Sequence, residues 1–148
     1  MILADVNIFV YAFRTDAVDH EKYRDWLEEQ VNSPQAFGVT SVALSGFIRI
    51  VTHPRVFSDP ASLDEAISFT DTLRGLPNCV DVRPGPRHWE IFSDLCRKAN
   101  ARGNLVPDAY LAALAIESGS EWITADRDYA RFPGLRWRHP FDDKRRFH

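Results

Sequence analysis

Short apolar runs alternate along the chain with longer stretches whose apolar residues recur at helical spacing. The short runs predict buried strands at 2–4, 36–39, 79–82 and 121–125, and an edge strand at 135–138. The longer stretches predict helices at 19–31, 41–52, 62–75, 89–99 and 108–118. The segment 8–13 is too short to be assigned. Strands and helices therefore alternate through most of the chain.

This alternation predicts an α/β fold. Successive strands joined by helices form right-handed crossovers, so we expect a central, mostly parallel sheet flanked by helices in three α/β/α layers. We expect one domain over residues 1–140, followed by a polar C-terminal tail at 141–148.

Composition and charge narrow the class of protein. The chain has 148 residues, of which 45% are hydrophobic and 26% charged, and this balance is typical of a folded globular domain. A net charge of −3 gives no overall positive field for nucleic acid, although acids gathered around a metal ion would contribute to that total. Two cysteines without metal or redox spacing, and no signal-peptide or membrane-spanning pattern, favour a cytoplasmic protein with no membrane partner.

Acidic residues follow the ends of predicted strands. Asp5 comes directly after the first strand, Asp126 follows the run at 121–125, and Asp128 lies two residues further on. Asp108 stands at the start of the predicted helix 108–118. Because ligands bind at the carboxyl ends of parallel strands, we expect these acids to meet at one edge of the sheet. Each acid alone also fits a simpler role, as a helix cap or a turn residue.

Clustered carboxylates repel one another unless protons or cations intervene. A set of oxygen ligands without histidine or cysteine favours Mg²⁺, with Mn²⁺ as the other candidate, over Zn²⁺. Such a site commonly holds a phosphate and activates a water molecule. The residues themselves therefore favour a metal-dependent phosphoryl hydrolase.

With these residues in view, the sequence resembles the PIN-domain proteins, specifically the VapC toxin ribonucleases of type II toxin–antitoxin pairs, in their mycobacterial-type branch. The resemblance covers residues 1–140. It rests on four segments in order: DVNIFVYAF, SVALSGFIRIVTHPRVF, GNLVPDAYLAALAIE and WITADRDYARFPGLRW. It implies a PIN fold, a divalent-metal site and endoribonuclease activity on RNA.

The resemblance also implies roles for individual residues. Asp5 and Asp108 match acids that ligate the metal, and Asp126 matches the later acid that completes the cluster. These three would be the catalytic residues, in a hydrolysis by metal-activated water that attacks phosphorus while the 3′ oxygen leaves.

Polar neighbours and partners follow from the same resemblance. Asn7 and Thr124 match polar positions beside the site, where they would orient the carboxylates by hydrogen bonds, and Asp128 is a further neighbour. The family implies a VapB-type antitoxin as partner, RNA as substrate and a homodimer.

Gly46 departs from the family pattern. Most PIN nucleases have a glutamate immediately before the aromatic residue of the central helix, where this chain has Gly46 before Phe47. We therefore expect one firmly held ion, with any second ion brought in by the substrate phosphate.

Two other classes of function compete with this one. A haloacid-dehalogenase-type phosphatase, like a response-regulator receiver, needs a second acid near the first strand and a late lysine, whereas this chain has Asn7 and no such lysine. A PIN-like module that only binds RNA or protein is favoured by Gly46 alone.

Several other charged and aromatic residues are expected to lie outside the site. Exposed arginines are more often solvated than bound to phosphate, and this applies to Arg14, Arg49, Arg127 and Arg131. The aromatic residues Trp26, Trp89 and Phe92 lie at core spacing, so we expect them in the core.

Overall fold

The computed structural model describes residues 1–142. Of the predicted C-terminal tail, 143–148 lie outside the described residues. The five strands are β1 (Ile2–Ala4), β2 (Phe37–Val39), β3 (Cys79–Asp81), β4 (Glu121–Ile123) and β5 (Trp137–Arg138). The six α-helices are α1 (Val6–Phe13), α2 (His20–Val31), α3 (Ser41–Val51), α4 (Leu63–Arg74), α5 (His88–Lys98) and α6 (Leu105–Ser118). A 3-10 helix, Arg127–Arg131, connects β4 to β5.

The strands form one sheet in the order β3-β2-β1-β4-β5, and every pairing among the described residues is parallel. Strand β1 is central: Leu3 lies opposite Gly38 of β2 on one side and Trp122 of β4 on the other. The chain leaves β1 toward β2 and β3, then crosses back to β4 and β5. The carboxyl ends of β1 and β4 therefore form the topological switch point, where open α/β sheets bind ligands.

Helices cover both faces of the sheet. Ala4 and Ile123 point to the face packed by α1, α2, α3 and α4. Leu3 and Trp122, one residue earlier on their strands, point to the face packed by α5 and α6. Adjacent strand residues point to opposite faces, so the short apolar strands supply both cores. The predicted three-layer α/β fold is confirmed.

Side-chain hydrogen bonds cap the first turns of two predicted helices, α3 and α4. The Thr40 hydroxyl accepts a hydrogen bond from the Ala43 N–H at 3.0 Å and starts α3. At the start of α4, the Ser62 hydroxyl accepts from the Glu65 N–H and donates to the Glu65 carboxylate, both at 3.1 Å. The first bond satisfies the Glu65 N–H, which a helix start would otherwise leave free, and the second holds the Ser62 hydroxyl in place.

Two helices differ from the prediction in their extent. Helix α1 occupies a segment left unassigned, and α6 begins at Leu105, three residues before the predicted start. Pro107 lies in the first turn of α6, where its missing N–H has no intrahelical partner to lose. A proline in that turn therefore allows more than one starting residue.

The prediction that Trp89 lies in the core is wrong, because its side chain is 69% exposed. The buried residue is its neighbour His88, which is 3% exposed and whose Nε2 lies 3.0 Å from the Tyr110 carbonyl oxygen. One residue is a rotation of about 100° around a helix, so this shift turns Trp89 to solvent. Trp26 is buried, as predicted.

Arg14 joins the end of α1 to the loop before α4. Its guanidinium donates to Asp16 and to the Asp59 carbonyl at 2.8 Å, and lies 4.0 Å above the Phe57 ring. These contacts give Arg14 a structural role, so it is not simply solvated. No helix within residues 1–142 is long and apolar enough to cross a membrane.

Candidate functional site

Asp5 lies where β1 passes into α1. Its backbone N–H donates to the Ile123 carbonyl of β4 at 2.9 Å, which fixes it at the switch point. Its Oδ1 accepts from the Val6 N–H at 2.7 Å, so Asp5 is also the N-cap of α1. The side chain is buried, with 6% of its surface exposed. The cap and the site acid proposed from the sequence are thus the same residue.

Thr124 links two of the predicted site acids. Its hydroxyl donates to Asp5 Oδ2 at 2.7 Å and accepts from the Asp126 N–H at 3.0 Å. Thr124 is fully buried just after β4. The contact with Asp5 is the one expected for this residue.

Asp126 opens the 3-10 helix that follows β4. Its Oδ1 accepts from the Asp128 N–H at 2.9 Å, which makes Asp126 the N-cap of that helix. Capping was one of the two roles left open for Asp126 in the sequence. The cap engages one carboxylate oxygen, while Asp128 is exposed to solvent.

Asp108 approaches the same edge from the first turn of α6. Its Oδ1 accepts from the Tyr129 hydroxyl at 3.2 Å. Tyr129 is fully buried on the 3-10 helix and was not among the predicted site residues. The one feature of the sequence that could have indicated Tyr129 is its position three residues after Asp126. That position was not decisive, because an aromatic residue there is equally compatible with packing in the core.

The carboxylates act on one another electrostatically. Burial and, to a smaller extent, the nearby charges of Asp108 and Asp126 raise the pKa of Asp5, while the Thr124 and Val6 hydrogen bonds lower it, and together they bring it to about 6. Burial also raises the pKa of Asp108, with added contributions from Asp126 and Asp128. The edge therefore concentrates negative charge in a partly buried place.

The oxygen donors at this edge decide whether it can hold a divalent ion. Within residues 1–142, no three acidic, histidine or cysteine side chains converge closely enough to enclose an ion as they stand. Mg²⁺, however, is commonly bound by one or two carboxylates together with water and substrate phosphate. The Asn7 Oδ1, two residues after Asp5, is buried without a hydrogen-bond partner. Hard oxygen donors and uncompensated negative charge fit such an ion.

Asn7 and Gly46 both lie near the start of α1. The part of the chain that the structure describes contains no hydrogen bond from Asn7 to a carboxylate, so the orienting role expected for Asn7 has no counterpart. Gly46 of α3 faces the start of α1: a Cβ added there would lie 3.3 Å from Val6 Cγ2. The position of the missing glutamate is therefore packed against the residue that follows Asp5.

Comparison with known proteins identifies the family. The model of the PIN domain matches residues 2–135. The chain belongs to the PIN-domain family. It is 45% identical over 142 residues to VapC ribonuclease Mb2897 of Mycobacterium bovis and to Ribonuclease VapC43 of Mycobacterium tuberculosis, and each alignment covers 96% of this chain and 97% of the relative. Within the PIN-domain family, the chain belongs with the VapC ribonucleases.

Solved structures show the same fold. VapBC2 from Rickettsia felis, bound to a DNA fragment from its promoter, aligns with a TM-score of 0.68 at 19% identity, over 94% of this chain and 98% of that one. VapC20 of Mycobacterium tuberculosis, a Sarcin-Ricin loop cleaving toxin, aligns with a TM-score of 0.63 at 14% identity, over 92% and 99%. The arrangement of this PIN-domain sheet and its helices is thus that of known VapC structures.

Proposed function

We propose that this VapC-type chain is the toxin of a type II toxin–antitoxin pair and an endoribonuclease that hydrolyses RNA phosphodiester bonds. PIN-domain ribonucleases generally depend on divalent metal ions. The proposed ion is Mg²⁺, with Mn²⁺ as a substitute, and its proposed ligands are Asp5, Asp108 and Asp126. One observation supports this assignment above all. The Asp5 carboxylate is buried, accepts a hydrogen bond from Thr124, and lies close enough to Asp108 and Asp126 to be repelled by their charges.

The chain's own residues would prepare the site. Asp5 is held at both oxygens, by the Val6 N–H and the Thr124 hydroxyl, so its orientation is fixed before any ligand arrives. Thr124 also holds the backbone of Asp126. When bound, a divalent ion supplies a water molecule of lowered pKa and offsets charge on the phosphoryl oxygens. A fixed first carboxylate reduces the reorganisation that the reaction requires.

The negative charge of this edge of the sheet would repel RNA unless a cation compensated it. RNA presents phosphates, and uncompensated carboxylates repel them. Asp5 and Asp108 gain no compensating cation from the described residues, since neither is in an ion pair there. A bound divalent cation would turn this repulsive edge into one that accepts a phosphodiester.

The proposed partners follow from the relatives. Among the structural neighbours are toxin–antitoxin complexes such as VapBC2. We include a VapB-type antitoxin, an RNA substrate, a homodimer and a cytoplasmic location in the proposal, because a toxin of this kind acts on cellular RNA and is restrained by its partner.

The alternative function is a PIN-like module that binds RNA or protein without cleaving it. The absence of the usual glutamate, at Gly46, is the one observation that favours it. The retained acids oppose it, because a module that only binds RNA gains nothing from carboxylates beside phosphates.

The test is cleavage of total cellular RNA by the purified protein, free of antitoxin, with Mg²⁺ or Mn²⁺ and with chelator. We expect discrete, metal-dependent fragments from the wild type and from Asp71→Asn, an exposed aspartate of α4. Asp5→Asn, the same chemical change at the site, should lose cleavage. If wild type and Asp5→Asn are equally inert with every ion yet bind RNA, the binding module replaces the enzyme.

A further inference from the structure

We propose that the Tyr129 hydroxyl positions the Asp108 carboxylate and thereby sets how tightly this chain holds its divalent ion. This inference rests on the proposed function, in which Asp108 is a metal ligand. Tyr129 is a positioning residue here, because its effect on the ion passes through Asp108.

Tyr129 is held rigidly in the core beneath the site. Its side chain is 1% exposed, and its ring centroid lies 5.4 Å from that of Trp122 and 5.8 Å from that of Phe132. A ring packed in this way has little freedom to turn. Its hydroxyl therefore presents a fixed donor to Asp108 Oδ1 at 3.2 Å.

Packing alone does not require this hydroxyl. A phenylalanine would bury the same ring without a polar group, whereas a buried hydroxyl needs a hydrogen-bond partner. The acceptor is a carboxylate of the proposed site, not a backbone carbonyl. The hydroxyl is thus buried at the place where it restrains Asp108.

The hydrogen bond also selects one carboxylate oxygen. Oδ1 of Asp108 is engaged by Tyr129, while Oδ2 has no hydrogen-bond donor in residues 1–142. Oδ2 is therefore the oxygen left for an ion. Groups that orient metal ligands by hydrogen bonds commonly change metal affinity by about 10- to 100-fold when they are removed.

The same bond connects two separate segments of the site. Tyr129 belongs to the 3-10 helix that Asp126 caps, and Asp108 belongs to the first turn of α6. Without the hydroxyl, the separation of Asp108 from Asp126 would depend on apolar packing alone. Both proposed ligands would then be less well placed for one ion.

The test compares Mn²⁺ binding, followed by electron paramagnetic resonance without RNA, in wild type and three variants. Tyr129→Phe removes only the hydroxyl. Tyr110→Phe is the matched control, because the Tyr110 hydroxyl has no side-chain hydrogen bond among the described residues. Phe132→Leu loosens the packing around Tyr129 and keeps its hydroxyl. We expect Tyr129→Phe to weaken Mn²⁺ binding about 10-fold or more, with the two other variants within about 3-fold of wild type.

RNA cleavage at increasing Mn²⁺ gives a second measurement. Tyr129→Phe should need a correspondingly higher Mn²⁺ concentration for half-maximal rate and recover most of the rate at saturation. Equal Mn²⁺ affinity of Tyr129→Phe and wild type would overturn the inference and leave the proposed function standing. The inference also fails if Phe132→Leu weakens binding as much as Tyr129→Phe, since packing would then be the cause. A wild type that neither binds Mn²⁺ nor cleaves RNA would overturn both.

Discussion

The Thr124 hydroxyl donates to Asp5 Oδ2 at 2.7 Å, although the two residues are 119 positions apart in the chain. Both side chains are buried where β1 and β4 end, so the bond is shielded from water. A hydrogen bond to a buried carboxylate favours its ionised form. Thr124 therefore keeps Asp5 closer to the charged state that a metal ligand needs.

Replacing Thr124 by valine should weaken the site while keeping its shape. Thr124→Val removes the hydroxyl, so the pKa of Asp5 should rise above its value of about 6. We expect metal-dependent RNA cleavage to fall about 10- to 100-fold and its pH profile to move toward higher pH. Rates measured from pH 5 to 9 would show this. Thr124→Ser, which retains a hydroxyl, should stay near wild type; equal losses in both variants would contradict the assignment.

The metal-free protein should become less stable as pH rises through the titration of Asp5. The folded pKa of about 6 exceeds the ordinary value of 3.8, so the folded state holds this proton more tightly than the unfolded state. The resulting stabilisation is complete below the ordinary pKa and is lost as pH rises through the folded one. It corresponds to at most about 3 kcal/mol.

Asp5→Asn isolates this effect, because asparagine also caps helices well. In chelator, we expect the variant's free energy of unfolding to exceed that of the wild type by a small amount near pH 4 and by up to about 3 kcal/mol at pH 7. Urea unfolding across this range measures the difference. Added Mn²⁺ should stabilise the wild type and leave Asp5→Asn unchanged. A pH-independent difference between the two proteins would refute the prediction.

Glu117, near the end of α6, should stabilise the start of α5. Its carboxylate accepts from the Gly85 N–H at 2.6 Å and the Arg87 N–H at 2.9 Å. We expect Glu117→Ala to lower the free energy of unfolding by about 2 kcal/mol, because both donors lose a charged acceptor. Glu29→Ala, at an exposed glutamate of α2, should change it by less than about 0.5 kcal/mol. Urea unfolding of both variants decides the matter; similar losses would count against the capping role.

Gly46 should behave unlike an ordinary glycine inside a helix. Replacing a glycine inside a helix by alanine ordinarily raises the free energy of unfolding by about 1 kcal/mol. At position 46, however, the new methyl group would lie 3.3 Å from Val6 Cγ2. We expect Gly46→Ala alone to change the free energy of unfolding by less than about 0.5 kcal/mol. In a Val6→Ala background, the same substitution should gain about 1 kcal/mol. Urea unfolding of the wild type, the two single variants and the double variant gives a double-mutant cycle. An equal increase in the free energy of unfolding in both backgrounds would show that Val6 does not restrict this position.

The sheet and its layers could be predicted well from the sequence, because each strand and helix is indicated by the pattern of apolar residues within its own segment. Short apolar runs separated by amphipathic stretches are sufficient for strand–helix alternation. The starts of the predicted helices 41–52 and 62–75 were equally local, because the hydroxyl that caps each helix, of Thr40 or Ser62, lies three residues from its N–H donor. Helix α1 was missed because its segment is mostly apolar and lacks the polar face that marks a helix.

The site was predictable in its acids and less so in its supporting contacts. Asp5 and Asp126 follow strands, so their placement at one edge comes from the parallel sheet. Their roles as metal ligands remain a prediction. The Tyr129–Asp108 bond could not be foreseen, because it joins two segments through a side chain whose ring also suits the core. Trp89 was misplaced because helical spacing gives a period but fixes the buried face only to within about one residue.

The position of β1 has a consequence for synthesis of the chain. Of the five described strands, β1 is made first, yet it lies at the centre of the sheet, and its partner β4 is made 117 residues later. Chains emerge from the ribosome N terminus first, and contacts between distant segments form slowly. A nascent chain that stops before Glu121 has Asp5 and Asp108 but lacks β4, and with it Thr124 and Asp126. The proposed metal site therefore cannot form on a nascent chain until Asp126 has been made and β4 has paired with β1.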